Sequence, residues 1–137
     1  MKSAHPKPVF RCTMCPLRQR PSAPSMMNSS VNGGKLIGYV EGAPEGWNNR
    51  FRISNICVFD HSNRSHSVGT KLMATIEQVA KSLEMRMIVL ETQSCNENAI
   101  AFYKRNGFTI ISFDLYEYSN TDPERHEVRI EMEKKLA

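Results

Sequence analysis

One stretch of this 137-residue chain, from Ile53 to Leu83, restricts its fold more than any other. An apolar, strand-like run, Ile53 to Phe59, passes through a loop of small and polar residues into a helical pattern. Val68, Leu72, Met73, Ile76, Val79, Ala80 and Leu83 recur every three or four residues, so they line one face of a helix. A strand, a short loop and a helix start together present unpaired backbone N–H groups at the positive end of the helix dipole. That arrangement binds phosphate. Small residues matter there because larger side chains would hold a pyrophosphate off the backbone. The loop and first turn run Arg64-Ser65-His66-Ser67-Val68-Gly69-Thr70.

A second stretch, Asn96-Glu97-Asn98-Ala99-Ile100-Ala101-Phe102-Tyr103-Lys104-Arg105-Asn106-Gly107-Phe108, follows after one intervening strand. The first stretch resembles the pyrophosphate loop of the GCN5-related N-acetyltransferases, Gln/Arg-x-x-Gly-x-Gly/Ala, with Ser67 in place of the first glycine. The second matches that family's N-x-x-A-x-x-F-Y-x-x-x-G-F pattern at each fixed position. Two motifs in the right order, with the right element between them, are far more specific than either alone. Leu90-Glu91-Thr92-Gln93, with Tyr118-Ser119-Asn120 downstream, looks like the streptothricin acetyltransferase branch. The resemblance covers about residues 35–136.

The resemblance implies an α/β fold, the GNAT-like acyl-CoA N-acyltransferase fold, and acetyl transfer from acetyl-CoA to a primary amine of a small acceptor. Backbone N–H groups around Cys57, Val58 and Phe59 would stabilise the developing oxyanion. Arg64, Ser65, His66, Ser67, Val68, Gly69 and Thr70 would hold the pyrophosphate, and Asn96 the pantetheine arm, with Ala99 and Tyr103 completing the cofactor site. Tyr103 matches the family's general acid, which protonates the departing thiolate. Its competing role is an aromatic wedge between helix and sheet. Related chains often carry an acid where Asn55 stands, and asparagine takes no proton, which leaves Glu91 as the candidate base. A strand-end salt bridge is the structural alternative for Glu91. His61 and His66 are lone loop histidines, a solvated type of position. An amine arriving deprotonated needs no dedicated base.

The family's pattern is not complete here. The segment from Val58 to Gly69 is one residue longer than in close relatives. Residues 1–34 are too short and proline-rich to supply the two helices and strand that usually precede the hairpin and build the acceptor site. The acceptor side is then open, completed by a second subunit in a homodimer, or absent. Two rivals follow: a CoA-binding module without turnover, and an interaction domain whose uncovered sheet pairs with a partner or itself.

Elsewhere the pattern is plainer. Leu36 to Gly42 forms a strand, Ala43 to Asn49 a loop, and Phe51 to Phe59 the returning strand of a hairpin. Met87 to Leu90 suits a strand buried on both faces after a crossover helix. Helix 96–106 ends at Gly107 as a C-cap. Strand 108–115 slips its alternation at Ile110/Ile111, the mark of a bulge. Val128, Ile130 and Met132 alternate with Arg129, Glu131 and Glu133 in a last strand with one wet face. The expected order is β-β-α-β-α-β-β, a mixed sheet lacking the family's N-terminal helices, in a domain spanning 35–137.

Residues 1–34 hold five of the seven prolines and the polar run Asn28 to Gly34, and read as loop or tail with at most one short strand, Val9 to Met14. A targeting peptide and a mis-assigned start at Met26 or Met27 are further readings of this segment. Residues 1–35 carry six Lys/Arg and no acid, which leaves 12 basic against 14 acidic residues in the remainder. The net charge of +4 therefore belongs to the leading segment, and no aromatic-basic interleaving points to nucleic acid. The acidic remainder favours a cationic, antibiotic-like acceptor. Cys12 and Cys15 make a lone C-x-x-C; even with His5 it falls short of four zinc ligands, so no metal is expected. The four cysteines form no disulfide framework, Cys57 reads as a buried thiol, and no membrane span or signal peptide appears, which suits the cytoplasm.

Overall fold

The computed structural model describes residues 25–59 and 68–137. The C-x-x-C pair, strand 9–14, His61 and the loop residues Arg64 to Ser67 lie outside the described residues. Six strands form one mixed sheet in the order β1-β2-β3-β4-β6-β5. They are β1 (Met26–Asn32), β2 (Lys35–Glu45), β3 (Arg50–Val58), β4 (Met87–Gln93), β5 (Thr109–Asp114) and β6 (Arg129–Lys135). Helix α1 (Val68–Ser82) joins β3 to β4, α2 (Glu97–Arg105) joins β4 to β5, and the single turn α3 (Asp122–Arg125) precedes β6.

The sheet begins earlier than the sequence pattern places it. The polar run after Met26 forms β1, paired antiparallel with β2 from Met26–Gly42 to Asn32–Lys35. Gly33 and Gly34 take φ of 57° and 79°, the positive values that a two-residue primed hairpin turn requires. Serine and asparagine are poor strand formers in isolation, but on an outer strand with one side exposed they cost little once the turn sets the register. The hairpin tip between β2 and β3 shortens to Gly46–Asn49, because β2 runs through Pro44. Proline is tolerated there since β1 reaches only as far as Gly42, leaving that part of β2 without a strand on its outer side.

The core lies between the sheet and the two long helices. Val68, Leu72, Met73, Ile76 and Ala80 of α1 are buried against Val40, Ile53, Ile56 and Val58, with Ile88, Leu90 and Met132 from the other half of the sheet. Helix α2 closes with Gly107 at φ 89°, the Phe108 N–H donating to Tyr103 O and the Gly107 N–H to Lys104 O. Glu97 in its first turn and Lys104 and Arg105 in its last complement the helix dipole. The β5–β6 register shifts between Ile110 and Ser112, where the alternation slips.

The opposite face of the sheet is less wet than its charges suggest. Arg52 Nε donates to Glu45 Oε1 at 2.6 Å, and Arg52 Nη2 crosses β4 to Glu131 Oε1 at 2.9 Å. Val89 beneath them is fully buried. Burial alone would lower the Arg52 pKa and raise that of Glu45. The short hydrogen bonds and opposite charges prevail, so the guanidinium is pushed up and the carboxyl down. The Arg129–Glu131 face of β6 is therefore an ion-pair lattice and not a solvated face, because β6 is an inner strand between β4 and β5. Cys57 is half-buried on this charged face, opposite Tyr39.

Candidate functional site

Strands β3 and β4 are parallel neighbours, but they pair only at Arg50–Met87, Phe51–Ile88 and Arg52–Val89. Beyond Arg52 and Val89 the two no longer pair with each other, β3 running on beside β2 to Val58 and β4 beside β6 to Gln93. The register of β3 on β2 shifts where Glu41 opposes Asn55 and Gly42 opposes Ile53, leaving Ser54 as the extra residue. A bulge bends and twists its strand, and this one falls where β3 leaves β4. The two strands open toward their carboxyl ends, where α1 and α2 begin.

Strand alternation then decides which backbone groups face that opening. The Phe59 N–H donates to Ile37 O at 2.9 Å, so Phe59, and with it Cys57, bonds toward β2. Val58 and Ile56 fall between them, so their N–H groups point the other way, toward the opening beside β4. Of the three candidates Cys57, Val58 and Phe59, the register singles out Val58 as the donor aimed into it.

At the start of α1, Val68 is buried, Gly69 half-buried and Thr70 exposed. A Cβ on Gly69 would stand 3.0 and 3.1 Å from two ring carbons of Phe102, so this glycine lets α2 approach the first turn of α1. Phe102 is a residue that motif matching alone leaves without a role; its signal is its fixed place before the tyrosine. Across the opening, Asn96 caps α2: its Oδ1 accepts the Ala99 N–H at 3.3 Å, which leaves the amide nitrogen as the end able to donate. Ala99, only 2% exposed, keeps the helix close to the sheet.

Tyr103 is also 2% exposed, with Phe102 edge-on at 5.5 Å and Phe108 at 6.1 Å between ring centroids. Its ring is part of the core, as a wedge would be. The carboxylate of Glu91 receives Arg129 through Nε and Nη2, both at 2.6 Å to Oε2. This places Glu91 in the ion-pair lattice, on the face of β4 away from the helices.

The loop between β5 and β6 is fastened to the same end of the sheet. Asp122, fully buried, accepts the Tyr118 N–H at 2.8 Å and Ser119 Oγ at 2.6 Å. Burial opposes ionisation of Asp122, yet these hydrogen bonds hold its carboxyl below the ordinary aspartate range. Ser94, just past β4, donates its Oγ to His126 O at 2.8 Å and exchanges backbone and side-chain bonds with Val128. The loop thus sits against the turn that carries Asn96. Its sequence signal is Ser119-Asn120-Thr121-Asp122-Pro123, a run of turn-forming side chains with proline inside the first helical turn.

A cavity of about 420 Å³ lies at the other end of β4, bordered by Met73, Ile88, Phe108 and Lys134. Lys134 is committed there to Glu77, and Thr70 of the first turn of α1 also borders it. Among the described residues no group of His, Cys, Asp and Glu is placed to hold a metal ion. No helix of the described residues is long and apolar enough to cross a membrane.

Comparison with known proteins agrees with this geometry. The Escherichia coli streptothricin acetyltransferase is 33% identical over 84 residues, which are 61% of this chain and 47% of that protein. A Bacillus anthracis protein described as a streptothricin acetyltransferase, solved with acetyl coenzyme A, superposes with TM-score 0.74 at 31% identity, covering 86% of this chain and 65% of that one. A nourseothricin acetyltransferase superposes with TM-score 0.72 at 28% identity, over 82% of this chain and 66% of its own. The chain thus spans about half the length of the Escherichia coli relative and under two thirds of the Bacillus anthracis one. The acetyltransferase (GNAT) family model matches residues 3–108. With the opened strand pair, the capped second helix and this match together, the chain belongs to the GNAT acetyltransferase family.

Proposed function

We propose that the chain binds acetyl-CoA between β3 and β4 and transfers its acetyl group to a primary amine of a small, cationic acceptor. The observation that carries this reading is the divergence of β3 from β4 beyond Val89, directly before the starts of α1 and α2. The opening fits an acyl-pantetheine arm, because the unpaired edge of β3 offers the peptide N–H groups that such an arm's amides accept.

In the proposed reaction the amine nitrogen attacks the thioester carbonyl carbon. Negative charge gathers on the carbonyl oxygen, and the Val58 N–H, fixed by its strand, is the donor for it. As the C–S bond breaks, Tyr103 gives its phenolic proton to the departing thiolate, and the attacking nitrogen sheds its extra proton, which restores the phenol and leaves the neutral amide. Asn96 donates to the pantetheine arm from its amide nitrogen. The N–H groups of Val68, Gly69 and Thr70, with Arg64 to Ser67 before them, hold the pyrophosphate at the helix start. Glu91 serves as a strut; its pairing with Arg129 favours that role over proton transfer, and the amine then enters in its neutral form. The streptothricin and nourseothricin acetyltransferases among the similar proteins favour an antibiotic-like amine as acceptor.

Calorimetric titration with acetyl-CoA tests the reading. A Gly69→Asp change would confound it by striking Phe102, so Thr70→Asp is the cleaner control. It is exposed, and a carboxylate in the first helical turn favours the helix while repelling a pyrophosphate. Saturable binding by the wild type, weakened at least roughly tenfold by Thr70→Asp with the fold intact, is the expected result. Absence of binding by folded wild type would overturn the reading. A second reading, a non-catalytic CoA-binding or interaction module, is favoured by exposed Ile110, Phe113 and Tyr116. Binding without turnover on a panel of primary amines would select it.

A further inference from the structure

Thr92 is 5% exposed, and its Oγ1 has no hydrogen-bond partner among the described residues. It lies two residues past Leu90, on the face of β4 that packs under the helices. One edge of β4 at this level is paired, Thr92 standing opposite Ile130 of β6. On the other edge β3 has already departed, its last pairing being Arg52–Val89. The hydroxyl is thus buried at the opening, four positions ahead of the Asn96 cap.

A buried hydroxyl without a partner destabilises a fold, and valine has the same shape without that cost. Among the described residues two other buried side-chain polar atoms lack partners, Arg50 Nε and Glu133 Oε2, but each belongs to a side chain engaged elsewhere. Arg50 approaches Glu131, and Glu133 Oε1 accepts from Thr109. The Thr92 hydroxyl is that side chain's sole polar group.

We propose that Thr92 Oγ1 is a binding contact for the pantetheine arm of the acyl donor, hydrogen-bonding one of its amide groups. The inference rests on the acetyl-CoA reading above and adds to it a side-chain contact from β4. A hydroxyl both donates and accepts, so it serves either an amide N–H or an amide carbonyl. It also separates the donor's parts: the contact concerns the arm and not the nucleotide.

Titrations of wild type, Thr92→Val and Thr92→Ser with acetyl-CoA and with adenosine 3′,5′-bisphosphate, alongside thermal melts, test this. Thr92→Val is expected to melt at or above the wild-type midpoint and to bind acetyl-CoA roughly five- to tenfold more weakly. Its affinity for the bisphosphate, which has no pantetheine, stays at the wild-type value, and Thr92→Ser keeps acetyl-CoA affinity. Acetyl-CoA binding by Thr92→Val equal to wild type overturns the inference and leaves the donor reading standing. Equal losses for both ligands, or a lowered melting midpoint, also overturn it, since they mark a structural role. Wild type that binds neither ligand overturns the donor reading and the inference with it.

Discussion

Gly69 shows how one residue carries two requirements at once. The phosphate-loop pattern calls for a small residue so that an anion can reach the backbone, and the fold calls for one so that Phe102 can pack. Alanine is the better helix former by about 1 kcal/mol, but its Cβ would press on the Phe102 ring. Gly69→Ala is therefore expected to gain little or lose stability alone, and to stabilise once Phe102→Leu removes the ring. A double-mutant cycle by urea denaturation should give a coupling of about 1 kcal/mol between the two positions. Tyr103 likewise packs in the core and is the proposed general acid. Removing only its hydroxyl in Tyr103→Phe separates the roles: kcat should fall about 100-fold while acetyl-CoA affinity changes by less than about threefold.

At the scale of elements, β2, β3, β4 and β6 are tied across their charged face by Glu45, Arg52, Glu131, Arg129 and Glu91. Arg52 is the centre of this lattice, and its side chain is 26% exposed. Arg52→Ala would leave Glu45 half-buried without its ion-pair partner and Glu131 with only the longer contacts to Arg50 and Arg129. A loss of about 1–2 kcal/mol is expected by chemical denaturation, less than for a fully buried pair. Two carboxylates, Glu45 in this lattice and Glu77 on α1 beside Lys134 and Lys81, set an acid limit. Glu45 and Glu77 are held below their ordinary value of 4.5, so their contribution is complete above it and lost as pH falls through the depressed folded values. Wild-type stability should therefore fall as pH drops below about 4.5, and Arg52→Ala should fall less steeply because Glu45 has lost its partner.

Taken whole, the molecule has a well-covered helix side and an exposed outer strand. Every residue of β5 is exposed, and Ile110, Ile111 and Phe113 add apolar surface to an edge whose backbone groups on one side meet no strand among the described residues. Edges of this kind pair with other chains unless charge or proline interrupts them, and here only Asp114 does. Concentration-dependent association by analytical ultracentrifugation is the expected behaviour. Ile111→Lys, at the bulge and remote from the opening, should reduce it and leave acetyl-CoA affinity unchanged.

Local chemistry was enough to place α1, α2, β2, β3, β4, the Gly107 cap and the β5 bulge, because each rests on periodicity or on one residue's backbone preference. The family motif named Asn96, Ala99 and Tyr103 for the same reason: their spacing is written along one helix. Strand β1 was not legible, since serine and asparagine make strand only once a neighbour supplies pairing and Gly33-Gly34 sets the register. Nor were the pairings of Glu91 with Arg129 and Arg52 with Glu131, which join residues 38 and 79 positions apart. The choice of Val58 as the inward-facing N–H follows from its register on β2, and the orphaned hydroxyl of Thr92 from the departure of β3. Both are consequences of strands meeting or failing to meet. Sequence determined which residues could do chemistry; packing decided which of them face the same space.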